Sequence, residues 1–143
     1  MKPIRRLLAM AAGVVLTVSL AHADDKDVVG YQCVMRGAGT YDWIQPVIFV
    51  AHNRTDDLIV VSDAMILAMN DGQPAVAQID TENARRITFT WEVETRLRVS
   101  PVTLRFRGTY VKSNGVFSVV AQPRGFDTTL TRSGECTLGR LGM

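Results

Sequence analysis

Between Arg85 and Lys112 the chain alternates apolar and polar residues in two long runs, and this restricts the fold more than any other feature. Ile87, Phe89, Trp91 and Val93 take the odd positions of the first run, with Thr88, Thr90 and Glu92 between them. Val102, Leu104, Phe106, Gly108 and Tyr110 take the even positions of the second, with Thr103, Arg105, Arg107 and Thr109 between them. A period of two sends one set of side chains to a core and the other to water, as in a strand. Two such runs joined near Pro101 predict a long antiparallel hairpin. The expected register has its tip at Val99-Ser100 and sets Trp91 across from Gly108, Phe89 from Tyr110, Glu92 from Arg107 and Glu94 from Arg105.

The rest of the chain repeats the pattern at shorter range. Strands are expected over 28–36, 47–51, 58–62, 75–79, 117–121 and 126–131. Asn70-Asp71-Gly72, Ser113-Asn114-Gly115 and Pro123-Arg124-Gly125 are the turn signals between them. A two-residue turn at Asn114-Gly115 sets Tyr110 across from Val119 and Lys112 from Phe117. Residues 63–69 read either as a short helix capped by Asp63 or as a bulged extension of the third strand; brevity favours the strand. About eight strands with regular turns predict an all-β protein, a small antiparallel meander closed into a barrel. A two-sheet β-sandwich is the alternative.

The first residues set a compartment. Lys2, Arg5 and Arg6 precede an apolar run from Leu7 to Ala21, and Ala21-His22-Ala23 is a small-x-small cleavage motif. Residues 1–23 read as a signal peptide, with the run too short for a membrane span. A single domain over 24–143 is expected, periplasmic or secreted, monomeric by default and not integral to a membrane. Of sixteen Lys and Arg the leader takes three, leaving thirteen against fourteen acids, a net charge of −1 that gives no basis for nucleic-acid binding. Cys33 and Cys136 are the only cysteines. In an oxidising compartment they are expected to form a disulfide tying the first strand to the end of the domain.

Catalytic machinery is sparse. No G-x-S-x-G and no phosphate-cradling glycine loop occurs. His52 is the one histidine beyond the leader, expected at a strand end beside a turn, and Asp56, Asp57, Asp63, Asp71 and Glu82 are scattered near turns. No metal site and no cofactor is expected from so few ligating residues. The aromatics Tyr31, Trp43, Phe49, Phe89, Trp91, Phe106, Tyr110, Phe117 and Phe126 either line a ligand cavity or, the commoner role, fill the core. With Arg105 and Arg107 expected in cross-strand ion pairs, Arg86, Arg96 and Arg98 remain as candidate binding residues for an acidic envelope polymer or acidic protein partner.

Tyr31-Gln32-Cys33 near the start and Gly134-Glu135-Cys136 near the end of a secreted β-meander resemble the layout of the bacterial inhibitors of c-type lysozyme. That family's Ser-Gly-x-x-Tyr inhibitory loop has no counterpart, since Ser133-Gly134 runs directly into Cys136, so no functional residue carries over. The reading that emerges is a non-catalytic binding or inhibitory barrel. An envelope structural or interaction protein is one alternative, and a hydrolase using turn carboxylates or His52 is another.

Overall fold

In the computed structural model the alternating faces of the sequence become the inside and outside of a closed antiparallel barrel, described over residues 27–139. The strands are β1 (Val28–Met35), β2 (Val47–Asn53), β3 (Leu58–Ser62), β4 (Ala75–Glu82), β5 (Arg86–Leu97), β6 (Ser100–Val111), β7 (Val116–Pro123) and β8 (Leu130–Gly139). Each pairs with its neighbour in sequence, and β8 closes onto β1. The expected leader and its cleavage point lie outside the described residues. No helix among the described residues is long and apolar enough to cross a membrane.

Ile87, Phe89, Trp91 and Val93 on β5 and Leu104, Phe106 and Gly108 on β6 all point inward and are buried. Closure leaves no free sheet edge, and the seam carries the expected disulfide: Cys33 on β1 lies across from Cys136 on β8. Gly134 makes this seam possible. A Cβ there would run into the Val34 carbonyl and the Met35 Cα on β1.

The central hairpin is correctly placed but its register differs by two residues. Trp91 lies across from Phe106, Phe89 from Gly108, Glu92 from Arg105 and Glu94 from Thr103, with Arg98-Val99 as the tip. This register stacks Trp91 flat on Phe106, with centroids 5.2 Å apart and planes within 4°. The glycine gap receives a different ring: a Cβ on Gly108 would stand 2.7 Å from the Phe117 ring and 3.1 Å from Trp91. The charge pair that the slip removes from β5–β6 is recovered on neighbouring strands. Arg107 bonds Asp80 on β4 at 3.2 Å, and Glu92 accepts from both Arg105 (3.3 Å) and Arg124 (2.6 Å). The β6–β7 hairpin is likewise shifted by two, with Tyr110 across from Phe117 and the loop widened to Lys112–Gly115. There Asn114 Oδ1 accepts from the Val116 N–H.

Two further expectations are corrected. Residues 63–69 are not a strand: Ala64–Met69 forms a helix, α1, because the Asp63 carboxylate caps it by accepting from the Ile66 N–H at 2.7 Å. The last strand is β8 at Leu130–Gly139 rather than 126–131, because pairing with β1 continues past Cys136 to Gly139.

The two ends of the barrel differ. Strand alternation puts the connections after β1, β3, β5 and β7 at one end. There α1 packs against β5, and Ile44 from the β1–β2 loop and Ile66 from α1 are buried to 1% and 0% exposure. At the other end the connections after β2, β4 and β6 are short turns over 54–57, 83–85 and 112–115. Turns this short have no side chains to spare for a lid.

Candidate functional site

The uncovered end opens into a cavity of about 480 Å³. Its floor is apolar: Phe89, Phe117, Ile87, Ile59 and Val50 are at most 6% exposed, and Cys33 and Cys136 add the disulfide. Its rim is polar and charged: His52, Arg54, Glu82 and Lys112, with the tyrosines Tyr31 and Tyr110 between floor and rim.

The fold positions these groups for local reasons. Phe117 keeps its place because Gly108 has no side chain, and it stacks on Phe89 with centroids 5.8 Å apart. Tyr31 and Tyr110, on β1 and β6, meet across the cavity with ring centroids 4.9 Å apart. Burial, with Tyr31 close by, pushes the Tyr110 hydroxyl above its ordinary value, so it stays a neutral donor. Lys112, first residue of the turn after β6, reaches Glu82, at the end of β4, with Nζ 3.3 Å from Oε1, and this pair crosses the rim.

His52 is less exposed than its place near a turn suggests. It sits on β2 between Val29 of β1 and Ile59 of β3, at 6% exposure. Burial lowers its pKa, against a smaller opposing pull from Glu82, so the imidazole is neutral at pH 7. Its Nε2 is buried and has no hydrogen-bond partner among the described residues. Asp57 and Glu82, turn carboxylates in the sequence, are brought beside this ring. The other carboxylates go elsewhere: Asp56 bonds the Asn53 amide at 2.9 Å, Asp63 caps α1, and Asp71 lies in the exposed turn after it.

The candidate binding arginines are not brought together. Arg86 lies at the open end of β5 and Arg96 and Arg98 at its far tip, ten residues or roughly 33 Å away along the strand. Arg98 occupies the hairpin turn with φ of 60°. Arg105, Arg107 and Arg124 instead form the ion-paired cluster with Glu92 and Asp80 on the outer face of β4–β7.

Chemically, the cavity offers an apolar floor, hydroxyl donors midway and both signs of charge at the rim. Among the described lining residues there is no serine, threonine or free thiol to act as a nucleophile. Among the described residues, His52, Asp57 and Glu82 form the group able to hold a metal ion. Comparison with protein-family models, with curated proteins and with solved structures finds no match, so the geometry alone carries the functional reading.

Proposed function

We propose that this chain is a non-catalytic binding barrel that takes a small amphipathic molecule into its open end. The apolar part lies on Phe89, Phe117 and Ile87, and the polar head stays at the rim among Arg54, Lys112, Glu82 and the tyrosines. The observation that carries this reading is the combination of an apolar floor with convergent polar groups in a cavity of about 480 Å³, within the range of small-molecule sites. The charged outer face of β4–β7 fits a barrel working in water, since a transmembrane barrel puts its apolar side chains outward. The export expected from residues 1–23 would place this binding in the periplasm or outside the cell.

Calorimetric titration with alkyl carboxylates and alkyl ammonium compounds of graded length tests the reading. Binding of one molecule per chain, strengthening as the alkyl part lengthens until the cavity is full, is the expected result. Val50 faces the cavity at 5% exposure, and Val50→Phe is expected to weaken binding at least tenfold while leaving the melting temperature near that of the parent. Affinity unchanged by Val50→Phe would place the ligand elsewhere and end the cavity reading.

A further inference from the structure

Three side chains at the cavity rim have a joint chemistry that goes beyond the charge Glu82 offers an amphiphile head. One ring nitrogen of His52 and one carboxylate oxygen from each of Asp57 and Glu82 lie within 4.8 Å of one another. They come from β2, from the β2–β3 turn and from the end of β4, so the consecutive pairing of β2, β3 and β4 assembles them. We propose that His52, Asp57 and Glu82 bind a divalent transition-metal ion of the zinc class.

The geometry is close to what such an ion requires. Around a tetrahedral ion with bonds of roughly 2.0–2.2 Å, ligand atoms stand about 3.4 Å apart. The spacing of at most 4.8 Å needs a contraction of no more than about 1.4 Å; Asp57 is an exposed turn side chain able to make it, and Glu82, also exposed, makes it by leaving Lys112. His52 is the fixed member, held in its strand at 6% exposure. Its buried Nε2 lacks any partner among the described residues, an uncommon state for a buried polar atom and one that points to a missing ligand. One imidazole and two carboxylates balance a divalent charge and suit a borderline ion. Three protein ligands leave a further position for water or for a group entering from the cavity, as in open zinc sites.

Two cations stand nearby, Arg54 and Lys112. Lys112 already holds Glu82 at 3.3 Å, so an incoming ion competes with an ammonium group for the same carboxylate. This gives the site a signature that a solvated acidic turn lacks: removing the lysine charge strengthens metal binding.

The test uses the full chain with His22→Ala, which removes the other imidazole of the sequence. After chelator treatment it is titrated with Zn²⁺ by calorimetry and with Co²⁺ by visible absorption. One saturable equivalent with d–d bands is expected. His52→Gln, Asp57→Asn and Glu82→Gln are each expected to weaken binding at least tenfold, and Lys112→Met to tighten it several-fold. Thermal melts establish that each variant is folded. Should His52→Gln fail to fold, the two surface variants decide the matter. Absence of saturable binding, or parental affinity in any folded variant of the three ligands, overturns the site. The probe is the metal alone, so this result is independent of whether an alkyl amphiphile binds.

Discussion

The two ends of this barrel are built from the same strands and do opposite things. At the covered end α1 and the β1–β2 loop lay Ile66 and Ile44 over the core, and Trp91 stacks flat on Phe106 beneath them. At the open end short turns leave Phe89 and Phe117 as the floor of a cavity. Phe106 and Phe117 are nearly equally buried, at 2% and 1% exposure. One is walled by packing on every side and the other borders empty space. Burial therefore does not distinguish a core residue from a cavity wall; the length of the nearest connection does.

The seam is common to both ends, and breaking it should have the largest effect. Replacing Cys33 and Cys136 together by alanine frees a loop closed over 103 residues, which in the chain-entropy model lowers stability by about 4–5 kcal/mol. Denaturant unfolding of the double variant against the parent measures it, and a loss below about 1 kcal/mol would show that strand pairing alone holds β8 on β1.

The next test addresses the ends directly. Phe106→Ala is expected to cost about 3–5 kcal/mol, the usual penalty for a packed aromatic. Phe117→Ala is expected to cost less by about 1 kcal/mol or more, because its space joins a cavity that already exists. Equal costs in chemical denaturation would mean that the cavity floor is packed as tightly as the covered end.

The smallest effect concerns the cover. Asp63 caps α1 from a buried position, and burial raises its pKa despite the N–H groups of Ile66 and Met65 that favour the carboxylate. The fold thus binds this proton more tightly than the unfolded chain does. The stability it contributes is complete below the unfolded-state pKa and is lost as pH rises through the higher folded value. Asp63→Asn keeps a capping oxygen without the charge, so its stability relative to the parent should improve as pH climbs through that window. Asp63→Ala loses the cap and should cost about 1 kcal/mol. Thermal melts between acidic and neutral pH separate the two, and a parallel pH profile for Asp63→Asn and the parent would remove Asp63 from the account.

Much of the fold was legible because alternation is a strong signal. The inner faces of β5, β6 and β7 follow from Ile87, Leu104 and Phe117 and their spacing, and closure and the disulfide follow from the strand count and the placement of two cysteines. Register was not legible. A two-residue slip keeps every side chain on its face, so only neighbours outside the hairpin decide it. Here Arg107 pairs with Asp80 on β4 and Glu92 with Arg124 after β7 rather than with each other. The helix was missed because six residues leave little periodicity to read, although Asp63 carried the capping signal. The cavity could be named only as an alternative to a filled core, because the same aromatic residues serve either. His52 and Asp57 are five residues apart, but Glu82 is thirty residues from His52, and only the pairing of β4 on β3 and β3 on β2 sets it beside them.

Closure also has a consequence in time. Seven of the eight strand pairings join segments adjacent in sequence, so each can form early and locally, hairpin by hairpin. The eighth, β1 with β8, must bring together positions about a hundred residues apart and is rewarded only when the other strands are in place. Seam closure is therefore the expected slow event of folding, and until it happens the cavity, with a wall made of β1 and β8, does not exist.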